Sequence, residues 1–194
     1  PHRVAVVLQR DVPALDASAV AAIERFVVTG GGVLVSLGPQ TDAELVNRFW
    51  ARGGDGFLPA PLGERVELER PGVPTIKIPS HPAFRAFEGP AGEAFKGSRV
   101  SSYWRLDTEN VRAGELSTIA AMDNGEALIV ERGRGHGHIA MVTTSLDLSW
   151  SELGVRPAFV PMVRGLVEYL GSAVLPPRNL SPGDVLTHVA ELGA

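Results

Sequence analysis

The chain contains no cysteine. That single absence removes disulfides, thiolate metal sites and a cysteine nucleophile together. No apolar run approaches the roughly 18 residues that a membrane-spanning helix needs. A basic excess is also missing: 18 Lys and Arg stand against 22 Asp and Glu, a net charge of −4. Without a basic footprint, nucleic acid is not an expected partner. There is no signal peptide, internal repeat or low-complexity tract. The chain begins with Pro1 and is already strand-like by Val4, the look of a piece cut from a longer protein.

What is present is globular. Hydrophobic residues make up 44% and charged residues 21% of 194, enough for one domain with an appendage. Residues 3–8 (RVAVVL) form a short apolar run typical of a doubly buried strand. Asp16 or Ser18 is placed to cap a helix carrying Val20, Ile23, Phe26 and Val27 at helical spacing, with Gly30 as its stop. A second buried strand follows over residues 33–37. Thr41 and Glu44 form a capping box before Leu45, Val46, Phe49 and Trp50. Strand–helix–strand–helix implies parallel strands with right-handed crossovers.

Residues 53–100 are rich in Gly and Pro, with short strands expected at 66–68 and 75–78 and a turn or short helix at 81–87. Strands are then expected at 100–106, 117–122, 127–131 and 138–144, the last two joined as a hairpin by the loop RGRGHG. A helix over 157–170 closes the domain, 1–171. Residues 172–194 read as a tail or the start of a further module.

The stretch at residues 30–39, GGGVLVSLGP, raises the question of chemistry. Its glycines follow a helix and precede a strand, which suits a helix stop better than a phosphate cradle. Its far end, Ser36-Leu37-Gly38-Pro39, lies where many α/β enzymes carry a nucleophile on a tight turn. The turn offers Leu37 and Gly38, and Ser36 points to the opposite face from Leu37.

Residues 22–29 followed by GGGVLVSLG resemble the helix–glycine–strand–elbow segment of class I glutamine amidotransferase-like domains, including the ThuA-like branch. Residues 127–147 resemble that branch's hairpin and its Thr-Ser-Leu run. TTSLDLSW (143–150), with residues 156–161, is similar to the soluble C-terminal portion of bacterial BatA-type membrane proteins, which also carry a von Willebrand factor A domain. The resemblance implies a three-layer α/β sandwich, flavodoxin-like, with a mainly parallel sheet and an antiparallel hairpin towards one edge. It also implies a Cys at the elbow and a His after a later strand. Leu37 occupies the first position, and Asp147 and Leu148 stand at the second. An alkyl group has no proton to lose, so the expectation is a non-catalytic interaction or scaffold domain. Its parent would be membrane-anchored through parts outside this sequence, with protein partners and neither cofactor nor metal.

Other residues leave alternatives open. Asp147, Ser149, Trp150 and Arg156 form a candidate ligand or partner rim at the carboxyl end of a strand, where open α/β sheets bind ligands. Asp147 or Ser149 would equally serve as a helix cap, with Trp150 as a packing anchor. A hydrolase with a relocated site near Asp147 and Ser149 requires a histidine beside them. A small-molecule or sugar-binding module requires Trp104 and Trp150 to line one open cleft. Tyr103-Trp104-Arg105 is expected to be a strand with an aromatic on each face. His136 and His138 are candidates for a metal pair, weakened by Arg132 and Arg134 beside them, and the loop reads as solvated surface. His81, before Pro82, reads as a turn residue. His2 and His188 lie near the termini.

Overall fold

The computed structural model describes residues 6–8, 15–109, 111–112 and 114–172. The expected tail, His2 and His188 lie outside the described residues. A six-stranded mixed sheet forms the centre, in the order β1 (Val6–Leu8), β2 (Gly32–Ser36), β8 (Gly137–Val142), β7 (Ala127–Arg134), β6 (Leu116–Met122) and β4 (Pro74–Ile76). β1, β2 and β8 pair in parallel. The ladders β8–β7, β7–β6 and β6–β4 are antiparallel. The expected hairpin is therefore one part of a longer antiparallel half. β6 nevertheless runs the same way as the parallel strands, since it is antiparallel to a strand antiparallel to β8.

Helix α1 (Ala17–Val28) starts where Asp16 accepts the Ala19 N–H at 2.8 Å. It stops because Gly30, at φ 101°, takes the left-handed conformation. The Gly31 N–H then reaches the Phe26 carbonyl at 2.8 Å and the Gly30 N–H the Val27 carbonyl at 2.9 Å, the pairing of a Schellman stop. The expected box at Thr41 is replaced. Asp42 caps the short helix α2 (Ala43–Val46) by accepting the Leu45 N–H at 3.0 Å. Thr41 accepts the Gly38 N–H at 2.9 Å instead. Beyond α2 the chain widens into a π-type turn over Asn47–Ala51 that buries Trp50.

Two apolar clusters cover the sheet's faces, giving helix–sheet–helix layering. One joins Val20 and Val27 of α1 to Val33, Val35, Ile139 and Met141. The other joins Met162, Leu166 and Leu170 of α4 (Phe159–Ser172) to Leu34, Ala140 and Val142, together with Phe84, Phe87 and Phe95. Phe84 and Phe87 come from a 3₁₀ turn, Pro82–Phe87, and Phe95 from the short helix α3 (Gly92–Lys96). No helix among the described residues is long and apolar enough to cross a membrane.

The Gly- and Pro-rich middle supplies a second layer of backbone. β3 (Leu62–Gly72) and β5 (Val100–Leu106) form an antiparallel ribbon outside the main sheet. Tyr103 faces one core cluster and Trp104 packs against the other, the two-faced arrangement that alternation along a strand requires.

Candidate functional site

The carboxyl ends of the parallel strands are where this architecture builds its sites. β2 ends at Ser36, and Leu37 occupies the turn. Its N–H bonds the Val142 carbonyl at 3.1 Å, and its side chain is 2% exposed among apolar neighbours. Ser36, on the other face, is buried and donates to the Thr144 carbonyl at 3.4 Å.

β5 roofs this turn. The Trp104 indole N–H donates to the Gly38 carbonyl at 3.3 Å, and the Trp104 backbone N–H to the Thr143 carbonyl at 2.9 Å. The Thr144 hydroxyl donates to the Ser102 carbonyl at 2.7 Å. Asn47 locks the ribbon from the side, its amide exchanging two 2.7 Å bonds with the Leu62 backbone. The turn therefore holds an alkyl side chain buried in a core cluster against which Trp104 also packs. A covalent step needs an ionisable nucleophile with a base in reach, and Leu37 offers neither a proton nor a lone pair.

The candidate rim divides into two parts. The Asp147 carboxylate accepts the Ser149 N–H at 2.9 Å and the Ser149 hydroxyl, an Asx-type turn on the surface. Neither residue caps a helix: the following 3₁₀ turn, Leu153–Val155, has Glu152 at its start with no side-chain cap. Trp150 is 5% exposed. Its N–H bonds the Ser145 hydroxyl at 3.1 Å, and its carbonyl accepts the Ser101 N–H at 2.7 Å. The Arg65 guanidinium lies 5.6 Å from its ring, a cation–π distance.

Beside Trp150 an open groove of about 550 Å³ is bordered by Arg99, Leu148, Trp150, Glu152, Val155 and Arg156. Leu148 and Val155 are 63% and 65% exposed. Arg156 pairs with Glu152, and its Nε is buried with no hydrogen-bond partner. Arg99 donates to the Lys96 and Ser98 carbonyls at 3.1 and 2.8 Å. Among the described residues, no carboxylate pairs with Arg99 or Arg65. Arg99, Leu148 and Val155 were not among the residues expected to form a site. Their signal lay in Leu148 and Val155, large aliphatics in a polar loop too short to bury them.

The indoles of Trp104 and Trp150 lie 6.2 Å apart. Trp150 borders this groove, and Trp104 hydrogen-bonds the elbow turn. His136, in the β7–β8 turn, and His138 and His81 sit towards the opposite end of β8. The His81 Nε2 is 3.3 Å from Glu131, and the Tyr169 hydroxyl is 3.2 Å from His138 Nδ1. Burial first, and then the Glu131 charge, push the Tyr169 phenol well above its ordinary pKa. Among the described residues no three metal-ligating side chains gather.

The RGRGHG loop is more than solvated surface. Arg132 donates to the Gly54 carbonyl at 2.6 Å and to Glu115 at 2.5 Å. Arg134 donates to the Asp55 carbonyl at 2.7 Å and to the Gly56 carbonyl. The two guanidiniums clamp the 53–56 loop to the hairpin, and His136 stays exposed at its tip.

No protein-family profile and no curated protein matches the chain. Solved structures do match. A cytoplasmic protein of Salmonella typhimurium superposes with a TM-score of 0.67 at 16% identity, over 86% of this chain and 71% of its own. A second Salmonella typhimurium cytoplasmic protein gives 0.55 at 16% identity, over 87% and 70%. A ThuA-like protein of Bacteroides uniformis gives 0.54 at 8% identity, over 86% and 68%. At such identities the likeness is one of fold, and the fold of this chain is ThuA-like.

Proposed function

We propose that this is a non-catalytic, amidotransferase-like binding domain that docks a protein partner, within a larger membrane-anchored bacterial parent of the BatA type. One observation carries the reading: Leu37 sits 2% exposed at the strand end where the fold would place its nucleophile, with an indole hydrogen-bonded to the same turn. Binding is then left to the neighbouring surface. Its groove combines a Trp150 floor, the exposed aliphatics Leu148 and Val155, and the cations Arg99 and Arg156. Buried aromatics and arginines are the residue types that anchor protein contacts. Arg156 is offset by Glu152, which leaves Arg99 as the uncompensated cation of the lining and favours a partner segment that sets one carboxylate beside a bulky aliphatic residue.

The test has two arms. Purified domain is assayed against glutamine and p-nitrophenyl acetate, with no turnover above buffer expected. The full-length parent is then used to co-purify partners, and Leu148→Asp with Arg99→Glu is expected to lose them. Amide or ester turnover that a single change near Leu37 abolishes would overturn the reading. So would partner retention unaffected by the double substitution.

A further inference from the structure

His81 stands between the 82–87 turn, β7 and α4, with one ring nitrogen hydrogen-bonded and the other close to a buried carboxylate. Nδ1 accepts the Ala83 N–H at 3.2 Å, capping the 82–87 turn. A nitrogen that accepts carries no proton, so the neutral ring holds its proton on Nε2. That nitrogen faces Glu131 of β7 at 3.3 Å. Tyr169 of α4 stacks edge-on, its centroid 4.6 Å from that of His81. On the far side, the Tyr169 hydroxyl contacts His138 of β8.

The turn that His81 caps is also the seat of α4. Gly165 passes so close to the Ala83 carbonyl that a Cβ there would overlap it, and Tyr169 borders the groove between helix and turn. Towards solvent, the remaining charged groups are Arg85 on the turn and the Arg164–Glu168 pair, joined at 2.7 Å on α4. Glu131, His138 and Tyr169 are thus the inward-facing polar groups.

We propose that His81 is a proton-operated latch: charging its imidazole releases the cap on the 82–87 turn and loosens the second half of α4 from the sheet. The reason is geometric. In the neutral ring Nε2 already carries its proton, 3.3 Å from a buried Glu131 oxygen that accepts no hydrogen bond, so a second proton can go only to Nδ1. It turns Nδ1 from an acceptor into a donor, which then opposes the Ala83 N–H. With an Nδ1–H opposing the Ala83 N–H, the two protonation states suit different geometries of the turn, a differential interaction of the kind that can drive a two-state change. Acid is the probe of such a latch, since imidazole is the class of side chain whose ordinary titration falls between about pH 5 and 8. His138 does not do the same work, because its contact is to the Tyr169 hydroxyl, which accepts as readily as it donates.

Hydrogen exchange on the folded domain, corrected for intrinsic rates, tests this at pH 7.5 and 5.5. The Ala83 amide is expected to lose about tenfold in protection at the lower pH, the scale of a lost cap, with α4 amides near Tyr169 following. In His81→Asn the side-chain oxygen keeps the cap and cannot titrate, so protection is expected to hold at both pH values. Two-bond 1H–15N imidazole spectra of the wild-type chain provide a readout that needs no variant. Nδ1 is expected to be unprotonated at pH 7.5 and to gain its proton as Ala83 protection falls. Protection unchanged after Nδ1 is protonated, or lost equally in His81→Asn, would overturn the latch.

Discussion

Installing a thiol at the elbow tests how firmly it is closed. Leu37→Cys puts one cysteine into a chain that has none, so any labelling reports that position alone. The substitution removes part of a side chain that is 2% exposed, at a cost of about 2 kcal/mol in stability. The thiol meets a polar reagent such as DTNB only if β5 lifts. Lifting breaks the Trp104–Gly38, Trp104–Thr143 and Thr144–Ser102 hydrogen bonds, about 1 kcal/mol each. It also re-exposes the underside of Trp104 and the new side chain, about 2 kcal/mol. Entropy regained by the freed ribbon offsets about 1 kcal/mol. The remaining ~4 kcal/mol leaves the thiol open about one part in a thousand. Leu148→Cys, at a position 63% exposed, provides the unprotected rate. With both variants folded by circular dichroism, the elbow thiol is expected to label about a thousandfold more slowly. Labelling within tenfold of the control would mean that the turn is open to solvent, and the argument for a closed elbow would fail.

Other perturbations address separate parts of the fold. Gly165→Ala gains helix propensity but forces a methyl into the Ala83 carbonyl, so a net loss of about 1–2 kcal/mol is expected in urea unfolding. Tyr169 has a raised phenol pKa, so its contribution is full below the unfolded value near 10 and declines as pH rises above it. Tyr169→Phe is expected to flatten the fall of the urea midpoint between pH 9.5 and 11.5. The opposite sign applies to Asp16, whose carboxyl is lowered by the Ala19 N–H and then by Ser18. Its help to α1 is present above about pH 4 and fades as acid protonates it, so Asp16→Asn is expected to narrow the acid-side loss of helical ellipticity. Arg132→Ala frees the Gly54 carbonyl and Glu115 together, and faster proteolysis within residues 53–56 is the expected result.

The elements with strong periodicity were legible in the sequence. α1, with Asp16 before it and Gly30 after it, follows from local chemistry, and so do β2 and the β7–β8 hairpin. The cap of α2 was misplaced by one residue because Thr41 and Asp42 are both good caps, and the choice was made by Gly38, whose N–H takes Thr41. The strands that roof the elbow were expected at 66–68 and 100–106, but their pairing was not legible. β3 carries Glu64, Arg65, Glu67, Glu69 and Arg70 around the core-packed Val66 and Leu68, and its full length is set by pairing with β5, across 28 to 44 residues of chain. The cluster around His81 was hidden for a related reason. Glu131 sits near the end of the apolar run ALIV, and only the folded sheet brings it to His81 and Tyr169.

The stretch GGGVLVSLGP has structural duties at both ends, none of which needs a reactive group. Gly30 ends α1 in a conformation that a side chain resists. Gly32 lies against the Leu170 carbonyl, where a Cβ would collide with the α4 backbone. Between them and the turn, Val33, Leu34 and Val35 serve the two faces of the sheet, Leu34 in one cluster and both valines in the other. At the far end, Leu37 fills its place in the cluster that Trp104 packs against, space that a smaller side chain would leave part empty, and a void of that kind destabilises by an amount that grows with its volume. Leu at this turn therefore contributes packing and offers no ionisable group. The shape of an elbow is then evidence of fold, and the side chain on it decides what the fold can do.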